Sequence, residues 1–228
     1  MHCQTFEMIS LSDPLTVEAT AEHDASIIWM HGLGASANDF FDMPRVINRP
    51  GTRWIFPNAP VRPVTLNNGW RMRSWFDIRH LGRDDDNREC AIESAESAEM
   101  IGELIESEHA RGIPYHRIAL VGFSQGGAMS LYVGCRYSHR LAGMVCLSGH
   151  MIFKSSHVAD SHESNRTTPV LMCHGSRDDI VPLSSAQKSE EILRENGWPV
   201  DFKTYPMFHE VCMEEIQAVD EFLQSILD

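Results

Sequence analysis

The stretch Ala119-Leu120-Val121-Gly122-Phe123-Ser124-Gln125-Gly126-Gly127-Ala128 constrains this chain more than any other. It reads as a short apolar strand, then the pattern G-x-S-x-G, then the start of a helix. That order is a nucleophile elbow. The turn from strand to helix is so tight that the serine backbone is strained and its hydroxyl projects above the sheet. Glycines at 122 and 126 are required because strand and helix pass within a side chain's width of each other. The helix that follows aims its free N–H groups and positive dipole end at the same point.

Other apolar runs place this elbow in a sheet. Ser26–Met30, Arg53–Phe56, Arg117–Val121, Leu141–Leu147, Val170–Cys173 and Val200–Tyr205 read as short buried parallel strands. Helical patterns fall between them, over 89–110, 185–195 and 211–226. Strands alternating with helices predict an α/β protein, a mostly parallel sheet covered on both faces. In the first of these helices Glu89, Glu93, Glu96, Glu99, Glu103 and Glu106 are expected to form one solvated stripe. Ala91, Ala95, Ala98, Ile101, Leu104 and Ile105 are expected to face the core. Residues 58–88 and 149–168 are the long irregular stretches, and so the candidate walls or lids of a site at the strand ends. No linker or repeat divides the 228 residues, which predicts one domain, 1–228, with no large cap domain.

The formal net charge of −13 argues against a nucleic-acid partner or attraction to an anionic membrane surface. Six widely spaced cysteines without a C-x-x-C pair read as free thiols of a reducing compartment. The first residues carry neither a signal-peptide pattern nor a transmembrane span. A cytoplasmic location is therefore expected. Asp84-Asp85-Asp86-Asn87 lacks the glycine and glutamate of a calcium loop and reads as a solvated loop. No metal or organic cofactor is expected.

A serine hydroxyl is a weak nucleophile at neutral pH, so it requires a histidine base and an acid that orients that base. In chains with this elbow the order is serine, acid, histidine. After Ser124, the strand ending at His174-Gly175 is followed by Asp178 and Asp179, and Asp178 is the preferred acid. The last strand is broken by Pro206, and His209 follows on the loop before the final helix. His209 is the preferred base; His174, next to Gly175 at a strand end, is the competitor and reads as a packing residue. An oxyanion hole needs two backbone donors. One is the amide of Gln125. His31-Gly32-Leu33-Gly34, on the exit loop of an early strand, supplies the other from Leu33, with His31 bracing the loop.

With these pieces in place the sequence resembles the phospholipase/carboxylesterase family of α/β-hydrolases. That family includes bacterial carboxylesterases and eukaryotic acyl-protein thioesterases (lysophospholipases). The resemblance spans nearly the whole chain. It rests on His31-Gly32-Leu33-Gly34, Ala59 to Asn67, Ser74-Trp75-Phe76-Asp77, Gly122 to Gly127, Leu147-Ser148, His174-Gly175 with Asp178, and Tyr205-Pro206-Met207 before His209. It implies the α/β-hydrolase fold and a serine hydrolase of esters or thioesters. The implied roles are Ser124 as nucleophile, Asp178 as acid, His209 as base, and Leu33 and Gln125 as oxyanion donors. The implied substrates are a small ester, an acylated protein or a lysophospholipid. Relatives often form homodimers, though the sequence itself shows no dimer surface.

The chain departs from the family pattern around the expected acyl pocket. After Leu147-Ser148-Gly149 the family has an aromatic residue and then a Leu-Pro type pair; here the run is His150-Met151-Ile152. Phe208 stands where a small residue is common, and Arg73 where bacterial relatives have proline. Met72, Trp75, Met151 and Phe208 are the candidate substrate-binding residues. Two alternatives frame the functional reading: a serine peptidase of the same fold, which would carry a gating domain, and a non-catalytic binding protein, which would have lost part of the serine machinery.

Overall fold

The structure is a computed structural model that describes residues 14–80 and 89–228. Cys3 and the 84–87 acidic run lie outside the described residues. The elements follow in the order β1 (Leu15–Val17), β2 (Ala25–Met30), α1 (Met43–Val46), β3 (Thr52–Phe56), β4 (Val61–Val64), β5 (Trp70–Arg73) and α2 (Ala91–Ala110). Then come β6 (Ile118–Phe123), α3 (Gln125–Arg136), β7 (Gly143–Leu147), α4 (His157–Asp160), β8 (Val170–Gly175), α5 (Leu183–Glu195), β9 (Val200–Tyr205) and α6 (Met213–Leu227).

Period-two alternation along β2 explains the layering. Ile27 and Trp29 point to one face of the sheet, where they pack with Trp54, Phe56, Val121 and the α6 residues Val219 and Leu223. Ile28 and Met30 point to the other, against Ile101 and Ile105 of α2 and Met129 and Val133 of α3. Every residue of β2, β7 and β8 is buried, as expected of strands covered on both sides. The strands form a seven-stranded sheet in the order β1-β3-β2-β6-β7-β8-β9. Within this sheet all pairings are parallel except β1 with β3. The elbow strand β6 is central, so the site is built over the middle of the sheet.

Three expectations change. The edge strand β1 was not anticipated; three half-buried residues carry too short a pattern. The stretch 58–88, expected to be irregular, contains the β4–β5 hairpin, turning at Asn68 and Gly69 with φ of 56° and 76°. Helix α2 starts at Ala91 and is rotated from the expected amphipathic face. Ala91 and Ala95 are exposed, whereas Ser94, Ser97 and Glu108 are buried. The physical reason is close approach. The Ser97 hydroxyl donates to the Trp75 carbonyl and the Ser94 hydroxyl to the Cys90 carbonyl, so small satisfied side chains let the helix sit against the 74–76 segment. Glu108 is compensated by Arg53 and by the Ser26 hydroxyl at 2.6 Å. The acidic stripe is only partly solvated: Glu89 is 4% exposed, and Glu93 and Glu96 approach Arg62 of the hairpin at 3.8 and 2.6 Å. Among the described residues, no helix is long and apolar enough to cross a membrane.

Candidate active site

Two glycines permit the elbow. A Cβ on Gly122 would sit 2.2 Å from the Gly126 carbonyl group, and one on Gly126 would sit 2.3 Å from the Met30 carbonyl oxygen. Ser124 therefore turns with φ 54° and ψ −116°, a conformation a non-glycine residue rarely adopts. Its amide donates to the Leu147 carbonyl at 2.7 Å, and its carbonyl accepts the Ala128 amide at 3.0 Å. The hydroxyl makes no helix cap and points instead to His209, 2.9 Å from Nε2.

His209 arrives from the segment after β9. Gly175 at the end of β8 makes room: a Cβ there would meet the Phe208 carbonyl oxygen at 2.3 Å. Backbone bonds from Ser176 to Tyr205 (2.7 Å) and from Arg177 to Met207 (3.1 Å) tie the two loops together. Nδ1 of His209 lies 2.7 Å from Oδ2 of Asp178. A carboxylate only accepts, so the Nδ1 nitrogen carries the proton and Nε2 presents its lone pair to Ser124. The other carboxylate oxygen, Oδ1, accepts the amides of Ile180 (2.9 Å) and Val181 (2.8 Å). The Asp178 side chain is fully shielded from solvent, while Asp179 is exposed.

His174 lies on the far side of the acid, its Nε2 3.4 Å from Asp178 Oδ2. Its Nε2–H donates to the Val181 carbonyl at 2.8 Å, and burial holds its pKa below the usual imidazole value. His31 is likewise buried and neutral, its pKa lowered by desolvation. Its Nδ1–H donates to the Gly32 carbonyl at 2.6 Å, and its Nε2 accepts the Ala59 amide at 3.0 Å. This fixes the loop carrying Leu33, whose next two amides are already committed: Gly34 to the Arg73 carbonyl and Ala35 to the Gly32 carbonyl.

Ser124 and His209 open into a cavity of about 540 Å³. Its apolar walls include Leu33, Phe40, Leu66, Phe76, Ile78 and Val211, and its polar ones Asp39, Glu89, His150 and Glu210. The four residues expected to bind substrate are not among those lining this cavity. Trp75 is fully buried behind the site, its Nε1 donating to the His31 carbonyl at 2.9 Å. Met151 is buried in the core beside Met172 and Ala186. Met72 lies on β5 and accepts a hydrogen bond from Asn67, and Phe208 is 53% exposed. The strand-end loops carry the wall, but which side chain faces inward depends on turns too local for pattern reading. For His150 a signal existed in the departure from the family's aromatic. For Leu66 it was membership in the 59–67 motif. Among the described residues, no group of three or more metal-ligating side chains is gathered in one place.

A strained serine between β6 and α3, with a histidine and a carboxylate delivered from the loops after β9 and β8, defines an α/β-hydrolase. The phospholipase/carboxylesterase family model matches residues 11–227, and the chain belongs to that family. It is 37% identical to acyl-protein thioesterase 1 of Gibberella zeae, over 94% of this chain and 95% of that protein. It is 35% identical to acyl-protein thioesterase 1 of Neurospora crassa, over 94% of this chain and 91% of that one. The crystal structure of Zea mays acyl-protein thioesterase 2 superimposes with a TM-score of 0.85 at 29% identity, over 94% of this chain and 99% of that one.

Proposed function

We propose that the protein hydrolyses carboxylic esters and thioesters through an acyl-serine intermediate, with acylated proteins, lysophospholipids or small acyl esters as substrates. The observation that carries this reading is the hydrogen-bonded chain Ser124–His209–Asp178 opening into a largely apolar cavity. Ser124 Oγ attacks the acyl carbonyl while His209 Nε2 takes its proton. Asp178 keeps the proton on Nδ1 and stabilises the imidazolium that forms. The amides of Leu33 and Gln125 hold the oxyanion, each contributing about 3–4 kcal/mol to the transition state. The imidazolium returns its proton to the departing alcohol or thiol. Water, activated by the same histidine, then attacks the acyl-serine; the carboxylic acid leaves and the serine is restored. The free Cys90, Cys135, Cys146, Cys173 and Cys212 favour a cytosolic setting.

The test is labelling of wild type and Ser124→Ala by a fluorophosphonate probe, with p-nitrophenyl esters of graded chain length assayed in parallel. Labelling and turnover present in the wild type and lost in the variant support the reading. A folded wild type that is neither labelled nor active would favour the non-catalytic binding protein.

A further inference from the structure

The Asp178 carboxylate is held by more than His209. Its Oδ1 accepts the Ile180 and Val181 amides, and its Oδ2 lies 2.7 Å from His209 Nδ1. His174, near the end of β8 and in register with Thr204 of β9, meets the same carboxylate with Nε2 3.4 Å from Oδ2. Both side chains are fully shielded from solvent. At 3.4 Å the contact is longer than a good hydrogen bond, and the Nε2 proton goes to the Val181 carbonyl at 2.8 Å. That carbonyl belongs to the residue whose amide donates to Oδ1. One imidazole N–H therefore fixes Val181 while its positive edge faces Oδ2. Packing alone does not account for an imidazole here. The preceding β8 residues, Val170 to Cys173, are apolar, and Nδ1 of His174 is buried with no hydrogen-bond partner among the described residues. A leucine of similar size would avoid that cost. Nε2 does what an alkyl group cannot: it donates beside a buried carboxylate.

We propose that His174 is a positioning residue of the triad: its Nε2–H holds the Val181 peptide and faces Asp178 Oδ2, and so keeps the Asp178 carboxylate aimed at His209 Nδ1. This rests on the serine-hydrolase reading above. His174 is not among the residues lining the cavity, so it acts through the acid and not on the substrate. When the imidazolium forms at His209 it meets a carboxylate already in place. A loosened carboxylate would have to reorganise at that moment, which raises the barrier of the chemical step and leaves substrate binding alone.

The experiment measures p-nitrophenyl ester turnover by wild type, His174→Leu and His174→Gln, and by His174→Leu in an Asp178→Asn background, with thermal melts to establish folding. Leucine fills the space without a donor, whereas glutamine places its amide nitrogen where Nε2 stood. In His174→Leu kcat is expected to fall about tenfold at an unchanged KM. The far-downfield proton resonance of His209 Nδ1–H is expected to shift or broaden. His174→Gln recovers most of the rate. In the Asp178→Asn background the leucine substitution costs less than about twofold, because the acid through which His174 acts is gone. A folded His174→Leu with wild-type kcat overturns the assignment, and so does a tenfold loss that persists in the Asp178→Asn background. If His174→Leu does not fold, His174→Gln is compared with His174→Asn, whose amide reaches only the Nδ1 position; equal rates for those two overturn it. Fluorophosphonate labelling separates the two levels. An unlabelled wild type sinks the serine-hydrolase reading and this proposal with it, whereas normal labelling with an unchanged kcat in folded His174→Leu sinks only the role of His174.

Discussion

The side-chain oxygen of Gln125 accepts the main-chain amide of Trp75 at 2.8 Å, and its amide nitrogen donates to the Phe76 carbonyl at 2.6 Å. The residue after the nucleophile thus fastens the 74–76 segment with its side chain, while its main chain begins α3. Trp75 passes the constraint on, since its indole N–H holds the His31 carbonyl. The two loops proposed to bear the oxyanion donors are braced through one buried network.

Removing the Gln125 side chain is expected to loosen both loops. Gln125→Ala leaves the buried Trp75 amide without its partner and the Phe76 carbonyl with the Ser74 hydroxyl alone, at a cost of about 1–3 kcal/mol. Urea denaturation reads the loss as a lower midpoint. Ester turnover is expected to fall as well, chiefly in kcat, because the backbone amide remains but its geometry relaxes. A variant with wild-type midpoint and wild-type kcat would show that the clamp is dispensable.

Asp178→Asn tests the histidine tautomer. Asparagine can offer its NH2 group to Nδ1, which would move the ring proton to Nε2 and leave no base for Ser124. The expected fall in kcat is about 10³–10⁴-fold, with fold stability nearly retained. Because an adjacent carboxylate is present, Asp179→Asn is the matched control. It is expected to stay within twofold of wild type. Equal losses in both variants would mean that the acid assignment is wrong.

The elbow and the mostly parallel sheet around it were legible in the sequence because each rests on a local rule: only glycine fits at 122 and 126, and strands alternate with helices. Ser124, Asp178 and His209, singled out from the sequence, lie within hydrogen-bonding distance of one another on the elbow and the loops after later strands. Both stretches expected to wall the site contribute to the cavity, through Leu66, Phe76, Ile78 and His150, but which side chains face inward was not legible. Trp75 looked like a pocket residue because it is large, apolar and close in sequence to the site. It is a brace, since its N–H is satisfied by His31 and its ring is fully buried. The face of α2 was misread for a related reason. Apolar periodicity selected its alanines, but the contact with the 74–76 segment selected serines able to approach closely and donate. Asp77 follows the same local logic: its carboxylate accepts the amide and hydroxyl of Thr65, each at 2.6 Å, and so orders the loop.

Gly126→Ala tests close packing rather than chemistry. The added methyl would meet the Met30 and His31 carbonyl oxygens at 2.3 and 2.7 Å, and both belong to backbone that cannot swing away. A destabilisation above about 3 kcal/mol is expected, visible as poor soluble yield and a lowered thermal midpoint. Gly112→Ala is the contrast: it has φ 101° but open space around the added methyl. Only the backbone strain, about 1–2 kcal/mol, is expected there. Should Gly126→Ala prove the milder of the two, the elbow is looser than its geometry implies.

Stability against pH is set by buried groups of opposite sign. Burial pushes the Glu215 carboxyl up to about 8, against a smaller opposing pull from the Cys212 backbone. The folded state therefore holds a proton that the unfolded state, with a value of 4.5, releases; stability falls as pH rises from 4.5 and levels off above about 8. Burial lowers His157 to about 3 and also lowers His31 and His174 from 6.5. For these three the unfolded state takes the proton first, so stability falls as pH drops below 6.5. The histidines and the carboxyl therefore oppose each other around pH 6.5, and the histidine contribution fades as pH rises beyond it. Toward pH 8 the Glu215 carboxyl dominates, and stability is expected to decline by at most about 1.4 kcal/mol per unit. Glu215→Gln, neutral and nearly isosteric, is expected to remove the alkaline decline while leaving the acid limb in place. Urea midpoints measured across this range for both proteins decide the matter. An alkaline decline of the same slope in Glu215→Gln would assign that limb to another group.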